Sequence, residues 1–279
     1  MSLKEKLKLR NNDPNKEMSF WDHLGELRRR MFRIILVFLA MAILAFINRE
    51  IIFDTIVLAP KDGSFITYHW LCKLGDFLNM ESLCLKETRI ILINYNLSGQ
   101  FMTHMTISMV AGLILAMPYI FWQMWQFIKP ALYEKERLYA RKAVFIMSLL
   151  FLMGILFAYY FLVPWTLNFL GTYQVSTMVD NKIALSSYVS TVVSVVLSVG
   201  LVFELPVVIY VLAKVGLITP EFLIRNRKYA FVLVLILAAI ITPPDVFSQI
   251  IVTIPLWALY EVSILVAKRV TLKQEPEME

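Results

Sequence analysis

Six apolar runs, separated by short basic or turn-rich segments, set the pattern of this chain. They fall at 31–47, 101–127, 143–170, 185–213, 229–241 and 248–267. A straight crossing of a bilayer needs about 20 apolar residues. The third and fourth runs exceed that, which predicts tilt or protrusion. The fifth has 13 residues, about 20 Å of helix. The turn signal Thr-Pro-Pro-Asp at 242–245 follows it, and the sixth run begins at once. The two are therefore expected to form a short hairpin, with local thinning of the bilayer or a wet cavity beside the fifth run. Pro118, Pro164, Pro206 and Pro255 lie inside the runs. Each removes a backbone donor and bends its helix, so a curved, concave body is expected.

Lysine and arginine give the expected orientation. The segments 1–33, 129–142, 214–228 and 268–279 carry 21 of them, and the alternate segments carry 6. Basic loops stay on the cytoplasmic side, so six spans with both termini cytoplasmic are predicted. The domain plan is a cytoplasmic segment 1–18, a membrane domain 19–269 and a cytoplasmic tail 270–279. An extracytoplasmic cap is expected at 48–97. The first 30 residues are polar and basic, without the apolar core of a cleaved signal peptide.

Composition supports the membrane reading: of 279 residues, 59% are hydrophobic and 17% charged, with a mean hydropathy of +0.67. That excess cannot be hidden in one soluble core. The net charge of +6 is accounted for by basic loops, and no soluble segment is long enough for a nucleic-acid-binding patch. Phosphate-loop, zinc-protease and nucleophile-elbow motifs are absent. His23, His69 and His104 lack metal-ligand spacing. The expectation is a protein that is not an enzyme and carries no cofactor or metal.

Three acidic residues stand out. Glu204 lies inside an apolar run, where a charge is costly and marks either a polar contact or a functional site. Glu26 precedes the first run and can pair with Arg29 or Arg30 at helical spacing. Glu136 lies in the basic 129–142 loop. If that loop is helical, its neighbours three and four residues away are Leu132, Tyr133, Tyr139 and Ala140, none cationic, whereas Glu134 can pair with Arg137.

Several segments, in order, resemble the TatC family, the multi-span receptors of the twin-arginine protein translocase. They are HLGELRRR (23–30), LAP (58–60), PYIFWQMWQFIKPALYEKER (118–137), GILFAYYFLVP (154–164), FELPV (203–207) and TPPDVFSQ (242–249). The resemblance implies an all-α polytopic protein of the bacterial cytoplasmic (inner) membrane. Such a protein binds the paired arginines of signal peptides on folded cargo. It moves that cargo with TatA/TatB-type single-span partners, driven by the proton motive force, and is a homo-oligomer in the active complex. By family position, Glu26 and Glu136 are the carboxylates for the arginine pair, flanked by Arg28, Phe127, Leu132, Tyr133 and Arg137. Glu204 matches a polar residue facing the concave side, and Asp245 and Gln249 match the outer turn near a partner-binding span.

Segment 61–96 is longer than the family pattern leads one to expect, and it holds both cysteines, Cys72 and Cys84. On the oxidising side of the membrane they are expected to form a disulfide. A secondary transporter of a small solute is the alternative reading, since it also uses kinked spans and an intramembrane carboxylate. Against it, the sequence has no internal repeat.

Overall fold

The computed structural model describes residues 20–78, 90–128, 140–176, 178, 181–242 and 246–274. Ten α-helices are described: α1 Phe20–Ile47, α2 Ile66–Leu78, α3 Gly99–Ile128, α4 Ala140–Phe157 and α5 Val163–Thr172. The others are α6 Leu185–Val202, α7 Leu205–Lys214, α8 Pro220–Arg225, α9 Arg227–Ile241 and α10 Val246–Gln274. Two short strands, β1 Ile91–Ile93 and β2 Lys182–Ala184, and three short π- or 3-10-helical segments are also described.

Five stretches are long and apolar enough to cross a membrane: Leu24–Ile47, Gly99–Phe127, Lys142–Thr172, Leu185–Lys214 and Gln249–Thr271. The fifth predicted run forms α9, whose 15 residues extend about 22 Å at the helical rise. It falls short of the hydrocarbon thickness, as its apolar length led one to expect.

The four prolines act in two ways. Pro118 and Pro255 sit within continuous helices. The other two stand where spans change character. A π-helical turn, Ala158–Leu162, precedes Pro164 at the start of α5, and Pro206 begins α7 just after α6 ends. Pro164 has no N–H to offer the Tyr160 carbonyl one turn earlier. The Thr67 hydroxyl, from the segment outside the spans, donates to that carbonyl at 2.6 Å. A backbone acceptor freed by proline is thus satisfied by a distant side chain, as a bilayer requires.

Small residues set the closest helix contacts. A Cβ on Gly112 of α3 would lie 2.5 Å from the backbone of Ala42 on α1. Ala42 and Ala45 are buried, whereas Phe32, Leu36, Leu39 and Ile43 of α1 are exposed. α1 therefore packs through a narrow small-residue stripe and turns its large side chains toward lipid. In the same way, a Cβ on Gly154 of α4 would lie 2.9 Å from the Gly200 Cα of α6. α6 is central to the main core, with Val189, Val192, Val195, Val196 and Val199 buried along it. A second cluster joins α7, α8 and α10 through Ile209, Leu223, Tyr260 and Ile264.

β1 and β2 pair in parallel, Leu92 opposite Ile183. Each leads directly into a spanning stretch, β1 into α3 and β2 into α6. Those two helices thus start from one side of the membrane. Near them a π-helical segment, Glu50–Val57, and a 3-10 turn, Ala59–Lys61, form a roof pinned by tyrosines. Tyr188 donates to the Val57 carbonyl at 2.8 Å, Tyr159 to Ile56 at 2.7 Å and Tyr68 to Pro60 at 2.9 Å. Burial pushes the Tyr68 phenol up to about 12. Beneath the roof lies an apolar cavity of about 800 Å³, walled by residues such as Ile107, Ile114, Ile155 and Val196. Glu204 is not among its lining residues.

Candidate functional site

At the end of α1 that begins the span, Glu26 and Arg30 sit one helical turn apart. Arg30 donates through Nε to Glu26 Oε1 at 3.0 Å, and its Nη2 donates to the same oxygen. Its Nη1 reaches α3, donating to Gln123 Oε1 at 3.2 Å, and Gln123 Nε2 donates to the Tyr119 hydroxyl at 2.6 Å. Gln123 is buried, and the Glu26 and Arg30 side chains are only 25% and 16% exposed. Both bonds from Arg30 to Glu26 fall on Oε1, and among the described residues no donor holds Oε2. The carboxylate is therefore oriented through one oxygen.

The helix pair holds this geometry along its length. Arg30–Gln123 at one end, Ala42–Gly112 in the middle and Phe46–His104 at the other fall on one antiparallel register. His104 Nε2 also bonds the Phe46 carbonyl oxygen at 3.2 Å. Arg28, Arg29 and Arg33 follow on the same helix and are exposed. Among the described side chains at this end of α1, Glu26 is the one acid beside four arginines, which favours a cationic ligand only where it can reach the carboxylate itself.

Phe127 is half-buried near the end of α3. Leu132, Tyr133, Glu136 and Arg137 lie outside the described residues, as does Asp245. Gln249 is described, and its Nε2 donates to the Leu235 carbonyl of α9 at 3.3 Å. It ties the two arms of the expected hairpin together. Glu204 is buried at the junction of α6 and α7, with neither carboxylate oxygen hydrogen-bonded among the described residues. Its carbonyl accepts from the amides of Val207 and Val208. Cys72 is disulfide-bonded, and Cys84, the other cysteine of the sequence, lies outside the described residues. Among the described residues, no group of three His, Cys, Asp or Glu side chains is placed to hold a metal.

One polar pair escapes the sequence reading. Glu261 lies within the sixth apolar run, and its Oε2 accepts from Arg227 Nη2 of α9 at 2.6 Å. The signal was a second intramembrane carboxylate. Its partner, 34 residues away, has no local spacing to announce it.

Known proteins match this chain along most of its length. The family model described as Sec-independent protein translocase protein (TatC) matches residues 22–255. A TatC protein of Blattabacterium sp. subsp. Periplaneta americana is 38% identical over 94% of this chain and 99% of its own length. TatCy of Bacillus subtilis is 32% identical over 90% of this chain and 89% of its own length. A crystal structure of the twin arginine translocase receptor TatC superposes with a TM-score of 0.64 at 33% identity, covering 89% of this chain and 99% of that one. A second, in the detergent DDM, gives 0.69 at 34% identity, covering 88% and 99%. The family model and these relatives cover most of the chain, and the chain belongs to the TatC family of Sec-independent, twin-arginine translocase components.

Proposed function

We propose that this chain is the signal-peptide receptor of its translocase, taking up the paired arginines of folded cargo at the Glu26 end of α1 and α3. The observation that carries the reading is Glu26 itself. Its Oε1 is held by Arg30, no donor among the described residues holds its Oε2, and exposed arginines follow it along the helix. A guanidinium is recognised best by a carboxylate with charge-assisted hydrogen bonds. Glu136 supplies the second carboxylate, with Arg28, Phe127, Leu132, Tyr133 and Arg137 flanking the pair.

In this reading the chain has six spans, with α9 as the short fifth, and both termini are cytoplasmic in a bacterial inner membrane. TatA/TatB-type single-span proteins join it near Asp245 and Gln249, with Glu204 as a polar contact within the spans. Several copies form the active complex, and the proton motive force drives transport. Cys84 is the disulfide partner of Cys72. The test is photo-crosslinking of a twin-arginine signal peptide to membranes holding this protein. Adducts should map to the Glu26 end of α1 and the 129–139 loop, and should vanish when the peptide's two arginines become lysines. Movement of a small solute by the purified protein in vesicles, with no such adducts, would favour a transporter instead.

A further inference from the structure

The segment between the first two spans contains a helix whose exposed face carries an apolar stripe, flanked by His69 and Asp76 and shared by Lys73. On α2, Ile66, Trp70 and Phe77 are 55%, 66% and 83% exposed. At 100° per residue the three fall within about 40° of one another. The opposite face is the covered one, with Thr67, Tyr68 and Gly75 buried and Leu71 and Cys72 half-buried. A helix standing in water would carry polar residues where Trp70 and Phe77 are.

The height of this helix follows from its bonds. Thr67 donates to the Tyr160 carbonyl, and Phe65 stacks on the Tyr160 ring with centroids 5.7 Å apart. Tyr160 lies 18 residues into the span that begins at Lys142, about 27 Å at the helical rise. The hydrocarbon layer is about 30 Å thick. The first turn of α2 is therefore fixed at the far hydrocarbon boundary, where aromatic side chains gather. Phe46, Ile47 and Ile51, where the first span ends, are exposed as well, and Ile66 itself lines the apolar cavity. Lys73, on the same stripe, can lay its stem along the apolar face and reach lipid phosphates.

We propose that α2 is an interfacial anchor whose Ile66–Trp70–Phe77 face rests in the headgroup and upper acyl region of the bilayer. The assignment rests on membrane placement alone and is independent of signal-peptide binding. It gives the long 61–96 segment a role in fixing the roof over the apolar cavity at a set depth.

The experiment places the photo-reactive residue p-benzoylphenylalanine at position 70, 77 or 76 of the full chain, in nanodiscs of phosphatidylethanolamine and phosphatidylglycerol. Mass spectrometry should find phospholipid adducts at 70 and 77 and far fewer at 76, beside the stripe. Equal yields at all three positions would overturn the proposal. So would crosslinks to another polypeptide, in place of lipid, at 70 and 77 in native membranes. A second measurement guards against a disturbed helix. Lipids brominated just below the headgroup should quench part of the wild-type tryptophan fluorescence, and Trp70→Phe should remove a share of that quenchable signal. An unchanged quenchable share would also overturn it.

Discussion

Arg30→Gln tests whether Arg30 positions Glu26 or competes with the ligand for it. In the structure Arg30 spans from Glu26 to Gln123, and its bonds to Glu26 use Oε1 and not Oε2. Releasing Glu26 would restore rotamer freedom worth up to ~1.5–2 kcal/mol. The pair is largely but not fully buried, and an exposed pair nets only about 0–1 kcal/mol. A value near 0.7–1.4 kcal/mol follows, or roughly three- to tenfold weaker signal-peptide binding. Glu26→Ala removes the acceptor. At ~1.5–3 kcal/mol for a charge-assisted hydrogen bond, it should weaken binding by roughly ten- to a hundredfold. The double variant carries the logic: once Glu26 is gone, Arg30→Gln has nothing left to position and should add less than about twofold. The assay is fluorescence-detected affinity for a labelled twin-arginine peptide at matched receptor levels. Tighter binding by Arg30→Gln would refute the argument, because Arg30 would then be an internal competitor for Glu26.

Four further expectations follow. Single cysteines at Pro14 and Glu275 should escape an impermeant thiol reagent in intact cells while one at Asn181 reacts; labelling of either terminus from outside would reverse the orientation. Gly112→Val forces a side chain into the Ala42 backbone and should cost ~1–3 kcal/mol by overpacking, read as a lower melting temperature in detergent, whereas Gly25→Ala, with open space around it, should be silent. Glu204→Gln should keep or raise the melting temperature, since it removes a buried carboxylate with no hydrogen bond; a marked loss would mean the charge is paired in the working protein. For Tyr68, a folded-state value near 12 against about 10 unfolded means its contribution to stability is complete below pH 10 and is lost as pH rises through 12; the tyrosinate absorbance difference between wild type and Tyr68→Phe should have its midpoint near 12, and a midpoint near 10 would place this phenol in water.

What could be read in advance was whatever is local in the chain. Apolar length located the five long spans and flagged the short α9, and a spacing of four residues announced the Glu26–Arg30 pair. The role of Gln123 was invisible, because its partner Arg30 is 93 residues away and nothing in the run 118–127 distinguishes it from a tolerated glutamine. Proline positions foretold trouble in the backbone without telling its remedy. Pro164 is preceded by a π-helical turn, and the Tyr160 carbonyl it leaves free takes the hydroxyl of Thr67, also 93 residues distant from its partner. The parallel strands were missed for a simpler reason: three residues each, flanking long spans, give no period to detect.

The tyrosine pins of the roof impose an order on biogenesis. Val57 waits for Tyr188, 131 residues later, and Ile56 for Tyr159, 103 residues later. At ~5–20 residues per second of synthesis, the first of these delays is roughly 7–26 s. During that interval the roof is already made and threaded, but the helix that will lock it is still in the ribosome. The Tyr68 and Tyr159 pins can form earlier, so the Val57 carbonyl is the one that stays without its tyrosine until the fourth span inserts. A stall between the third and fourth spans would leave the roof without its Tyr188 pin.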